Sequence, residues 1–152
     1  EPLDPGAGRL RRRPPRDRSD GGLIMLANQQ ASAVPCLLTD VVSANVPSPD
    51  LFWRVAKMGL EMSGGRPSTR LVRSIGEGAW LEAASELLQL VLPQTGYMAG
   101  RLPNGSAHVR LMIVRAVRTV TPIDTFRADG EVSLALLEAL VQACERQDVV
   151  PN

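Results

Sequence analysis

Val109-Arg110-Leu111-Met112-Ile113-Val114-Arg115-Ala116-Val117-Arg118-Thr119-Val120 is the stretch on which the fold class turns. Its β-branched residues Val109, Ile113, Val114, Val117, Thr119 and Val120 favour a strand. A helical wheel instead gathers Val109, Ile113, Ala116, Val117 and Val120 on one face. His108, Arg115, Arg118 and Thr119 fall on the other, and Arg110 is out of place. Strict alternation fails, because Leu111 to Val114 are four apolar residues in a row. The preferred reading is a helix; a strand here turns the chain from mainly α to α+β.

On either side of this stretch the helical signals are stronger. Ala79–Leu92 and Val132–Gln147 are apolar around far more than half of their circumference, so each must be covered on several sides. Ser48, Pro49 and Asp50 form a helix start, with a cap, a first-turn proline and an acid at the positive end of the dipole. Leu51, Val55, Met58 and Met62 follow at helical spacing, which predicts a helix over Pro49–Met62. Pro67–Ile75 reads as a short helix capped by Arg66 or Ser68 contacts. Ala33–Ala44 reads as a helix with Pro35 in its first turn, and Leu23–Gln30 leans the same way. Gln94–Gly105 reads as a loop and Thr121–Asp129 as a connector. The expectation is a mainly α protein, a compact multi-helix bundle of about five to six helices.

Residues 1–22 stand apart. Four prolines, four glycines and six arginines leave Leu3, Ala7 and Leu10 as the apolar side chains, too few to offset the entropy of ordering. They are expected to form a disordered basic arm, residues 1–22, ahead of a single helical domain, residues 23–152. The arm's six arginines outweigh its four acids, whereas the whole chain carries a net charge of only +1. Total charge therefore gives no reason to expect nucleic acid or membrane as a partner. Arg9, Arg11, Arg12, Arg13, Arg16 and Arg18 are the candidates for anion or nucleic-acid binding, since a dense guanidinium cluster displaces counterions from a polyphosphate. No aromatic is interleaved there for base stacking. Of the seventeen basic residues, only Lys57 is lysine. That bias fits GC-rich coding better than selection for bidentate contacts.

Chemical motifs are sparse. His108 is the single histidine, which excludes sites built on histidine clusters, and no nucleophile motif surrounds it. Glu82/Glu86 and Glu138/Glu145 lie on narrow polar strips and read as solvated charge. Gly76 and Gly78 lack the third glycine of a dinucleotide fingerprint, because position 81 is Leu81. Leu92-Pro93-Gln94-Thr95-Gly96 matches the pentapeptide cleaved by sortases, but 56 residues patterned like folded protein follow it. Asn104-Gly105-Ser106 reads as a turn and cap before it reads as a glycosylation acceptor. Cys36 and Cys144 both sit in apolar surroundings, which predicts buried thiols. No apolar run is long enough for a membrane span.

The Ser63–Arg70 loop is the one phosphate-loop candidate. Gly64, Gly65, Arg66, Ser68, Thr69 and Arg70 combine mobile backbone, hydroxyls and guanidinium groups at a helix start. The expected function is a non-enzymatic assembly or adaptor protein. It would bind protein partners or itself, with nucleic acid a further partner through the arm. The alternative is a small enzyme or phosphate-ligand binder using the Ser63–Arg70 loop. A helix-turn-helix module around Pro67–Leu92 ranks last, since its second helix lacks side chains for base edges beyond Gln89. No catalytic residue, metal ligand or cofactor is assigned, and an intracellular setting is favoured.

Overall fold

A computed structural model describes residues 33–116 and 119–146. Val34–Asn152 is one compact unit, and the elements below belong to it from Val34 onward. They are α1 (residues 33–43), α2 (Pro49–Ser63), α3 (Thr69–Gly76), α4 (Trp80–Val91), β1 (Gly96–Arg101), β2 (Ala107–Ala116), β3 (Thr119–Arg127) and α5 (Val132–Glu145). The arm and Leu23–Gln30 lie outside the described residues.

The helices form where their end signals place them. Ser48 accepts a hydrogen bond from Leu51 N at 3.2 Å, and Pro49 opens α2, which ends at Gly64 in the left-handed region. Ser68 caps α3 in the same way, accepting from Leu71 N at 3.0 Å. Helix α2 crosses α4 closely at Gly59, where an added Cβ would lie 2.9 Å from Val91 Cγ2. Leu134, Ala135, Leu136 and Leu137, four successive positions of α5, are all buried. A helix covered on every side is what an all-round apolar sequence requires. It packs against all three strands and against α2 and α4, and so forms the centre of the core.

The decisive stretch is not a helix. Val109–Val120 spans most of β2 and the start of β3, and the three strands form an antiparallel sheet in the order β1-β2-β3. The fold is therefore α+β, not a pure helical bundle. Ala107, Val109, Leu111 and Ile113 are buried, while Arg110 is exposed and His108 and Met112 are partly exposed. That is the period-2 pattern of a strand with one face on the core. Arg110, misplaced on the helical wheel, lies on the solvent face. Met112 lies there too, and it is what made Leu111–Val114 look continuously apolar.

Two further segments correct the helical reading. Gln94–Gly105, expected as a loop, contains β1, and Thr121–Asp129, expected as a connector, is largely β3. Both supply the pairing that a strand needs. Gly96↔Met112 through Arg101↔Ala107 joins β1 to β2, and Ala107↔Arg127 through Ile113↔Thr121 joins β2 to β3. The β1–β2 turn closes with Leu102 N donating to Ser106 O at 2.8 Å and Gly105 N donating to Leu102 O at 2.8 Å. Gly105 has φ +88°, the left-handed position that this bulged three-residue loop demands. Side-chain hydrogen bonds then fix the sheet to the helices. Thr125 Oγ1 donates to Ala135 O at 2.8 Å, and the Tyr97 and Ser85 hydroxyls meet at 2.8 Å. Cys144 lies in the core as expected; Cys36 faces solvent on α1.

Arg127 locks the end of β3 to the rest of the unit. Its side chain is 8% exposed. It donates to Val41 O at 3.1 Å and to Ala44 O at the C-terminal end of α1. It also donates to Asp129 through Nε at 3.1 Å and Nη2 at 2.8 Å, and lies 3.8 Å from Glu138 of α5. A guanidinium suits a helix C-terminus, where unpaired carbonyls concentrate negative partial charge.

Candidate functional site

The alternation that buries Ala107, Val109, Leu111 and Ile113 of β2 and Ile123, Thr125 and Arg127 of β3 sends the residues between them to the opposite face. Register then decides which of them meet. Arg110 lies directly across from Asp124, and His108 across from Phe126. On the other side of β2, Met98 faces Arg110 and Gly100 faces His108. Directly opposed residues on one face of a sheet are close enough to interact.

The polar centre of this face is Asp124. Its Oδ1 accepts from Arg110 Nε at 2.8 Å and its Oδ2 from Arg110 Nη2 at 3.1 Å, the forked geometry of a guanidinium–carboxylate pair. His108 Nε2 also lies 3.0 Å from Asp124 Oδ1. These contacts pull the Asp124 carboxyl down to about 2, the Arg110 hydrogen bonds first and the His108 bond second. A depressed carboxylate stabilises the fold above its ordinary range and loses that effect as pH falls through about 2. The ion pair thus holds throughout neutral and mildly acidic solution.

Beside it lies an aromatic surface. The His108 and Phe126 rings stack at 4.5 Å between centroids and 13° between planes. Phe126 is nonetheless 61% exposed, and Met98 is 59% exposed. An aromatic ring held by a stacked neighbour and still open to solvent is a platform for another flat group. The neighbouring Ser106 hydroxyl is not paired with His108. The imidazole's hydrogen bond is to Asp124, and the Ser106 hydroxyl, two positions earlier, donates to Asn104 at 2.6 Å.

The phosphate-loop residues are placed differently. Gly64 closes α2, and Gly65 N donates to Leu60 O at 3.0 Å and to Ser63 Oγ at 3.3 Å. Ser68 caps α3 and donates its hydroxyl to Glu86 Oε2 at 2.9 Å, while Arg70 lies 3.8 Å from Glu86 Oε1. Arg66 and Thr69 are exposed. The loop thus brings Ser68 and Arg70 together around a carboxylate of the chain itself, and an incoming phosphate would meet that negative charge. The arm arginines, Arg9, Arg11, Arg12, Arg13, Arg16 and Arg18, lie outside the described residues. Among the described residues no group of three or more His, Cys, Asp or Glu is arranged to hold a metal ion. No described helix is long and apolar enough to cross a membrane.

Sequence reading missed the His108, Arg110, Asp124, Phe126 and Met98 surface. The available signal was the alternation Ala107-His108-Val109-Arg110-Leu111, apolar at odd positions and polar at even ones. Comparison with protein families, curated proteins and solved structures gave no match for the chain.

Proposed function

We propose that this chain is a non-enzymatic assembly or adaptor protein that binds macromolecular partners through the uncovered face of its sheet, with the arginine-rich arm as an electrostatic tether for nucleic acid. One observation carries the reading: the sheet packs its odd-numbered face on α5 and leaves Phe126 and Met98 open to solvent beside His108 and Arg110. Large exposed apolar side chains grouped with charged ones mark interaction surfaces.

Nucleic acid is the partner this chemistry suits. The arm supplies guanidinium groups for phosphates but no ring for bases. The sheet supplies the ring. Bases of a single strand stack on exposed aromatics of antiparallel sheets, largely without regard to sequence. Arg110 adds a guanidinium beside the stacked pair, although Asp124 offsets its charge.

Fluorescence anisotropy with a labelled oligouridylate tests this. The full chain is expected to bind with an affinity that falls as salt rises. Deleting residues 1–22 is expected to weaken binding and flatten that salt dependence. Phe126→Ala is expected to weaken binding about tenfold, the loss of one stacked base, with the salt dependence unchanged. Binding that is indifferent to both changes, or no binding at low salt, overturns the nucleic-acid reading.

A further inference from the structure

The two edges of the sheet differ. Strand β3 has Pro122, which has no N–H to offer, and Asp124. Proline and charge on an edge strand are common protections against pairing with another chain. Strand β1 has no proline, and its first five residues, Gly96-Tyr97-Met98-Ala99-Gly100, are uncharged; Arg101 is its last residue. Five of its six residues are exposed, and among the described residues no strand lies on its outer side.

The hairpin shows which backbone groups of β1 face outwards. Leu102 N donates to Ser106 O, so that opposed pair is a hydrogen-bonded one. Hydrogen-bonded and non-hydrogen-bonded pairs alternate along an antiparallel ladder. Gly100, Met98 and Gly96 therefore direct their N–H and C=O groups at β2. Those of Tyr97, Ala99 and Arg101 point to the free edge. The same alternation turns Pro122 of β3 outwards, where a missing N–H costs no ladder bond.

Resting on the proposal that the sheet is the assembling surface, we propose that β1 pairs antiparallel with β1 of a second copy, about a two-fold axis at Met98. In that register Tyr97 lies opposite Ala99, a large side chain against a small one, and their outward N–H and C=O groups bond reciprocally. Gly96 lies opposite Gly100. The two Met98 side chains, large apolar groups 59% exposed, meet at a closely spaced non-hydrogen-bonded pair. No charged residue faces another. The product is a six-stranded sheet, β3-β2-β1-β1-β2-β3. Its outer edges both carry Pro122, so growth stops at a dimer and does not continue into a fibre.

Sedimentation equilibrium of the full chain, from micromolar to near-millimolar concentration, tests the pairing. A short strand pair is a small interface, so a concentration-dependent monomer–dimer equilibrium is expected. Met98→Lys places like charges opposite each other and is expected to leave a monomer at every concentration. Ala99→Pro removes an outward N–H and is expected to do the same. If Ala99→Pro does not fold, a cross-link serves instead. In a Cys36→Ser background, Met98→Cys is expected to give a disulfide-linked dimer under mild oxidation, whereas Val72→Cys, exposed elsewhere, is not. A wild-type monomer throughout, or a dimer unaffected by Met98→Lys, overturns the proposal. A monomer that still binds oligouridylate through Phe126 overturns the pairing alone. A Met98-dependent dimer that binds no oligonucleotide supports the pairing and overturns the nucleic-acid reading.

Discussion

Arg127→Ala is expected to destabilise the protein by about 3–5 kcal/mol, the range for removing one partner from a buried ionic cluster. The reason is what the guanidinium leaves behind. At the end of α1, Ala44 O loses its guanidinium donor, and Val41 O is left with Ala44 N at 3.3 Å. Glu138 loses its cation while remaining largely covered. For a domain of this size the thermal midpoint falls by on the order of 10 °C. Arg127→Lys is expected to recover only part of the loss, because one ammonium cannot fork between two carbonyls and a carboxylate.

The pH dependence of this variant follows from Glu138. Burial already pushes the Glu138 carboxyl above its ordinary range, and Arg127 pulls it back in part. A carboxyl with a raised folded-state pKa destabilises the fold as pH rises through that value. Without Arg127 the rise is larger, so the deficit of Arg127→Ala is expected to be greatest at neutral pH. It shrinks in acid as Glu138 takes up a proton. Urea denaturation at two pH values measures this. A deficit below about 1 kcal/mol, within the range of exposed ion pairs, would show that Arg127 is not the lock described above.

Gly130→Ala is expected to cost about 3 kcal/mol and to lower the thermal midpoint by on the order of 10 °C. Gly130 has φ +74°, where an alanine is strained by itself, and its added Cβ would lie 2.6 Å from Gly105 O. That oxygen is backbone, held in the β1–β2 turn, and has no rotamer through which to move away. Gly130 O also accepts from Arg101 Nε at 3.0 Å, so any shift disturbs the end of β1 as well. Gly76→Ala is the matched control. An added Cβ meets nothing within 4 Å there, and the site is the last residue of α3. It is expected to be neutral or stabilising by up to about 1 kcal/mol. Equal effects of the two substitutions would contradict the contact between the two turns.

The helical half of this fold was legible because its signals are local. Ser48-Pro49-Asp50 and Ser68 each sit within a few residues of the backbone they cap. The all-round apolar character of Val132–Gln147 announced a buried helix before any partner was known. The sheet was not legible, because what stabilises it is distant in sequence. Val109 becomes a strand residue by pairing with Ala99 and Thr125, in segments that read as a loop and a connector. Gly96 and Gly100 disguised β1, and Pro122 disguised β3 until its edge position explained it. The same distance hid the candidate surface, where Phe126 means little until register sets it against His108. Arg127 gave no signal at all, since an arginine is ordinarily a surface residue.

Nuclear Overhauser contacts in the full-length protein test the open sheet most directly. Antiparallel pairing sets the Hα atoms of non-hydrogen-bonded pairs close together across strands. Strong Hα–Hα cross-peaks are predicted between His108 and Phe126 and between Arg110 and Asp124. Their absence, with the Hα(i) to amide(i+3) ladder of a helix running through residues 109–120, would contradict the sheet and remove the surface on which the proposed binding rests.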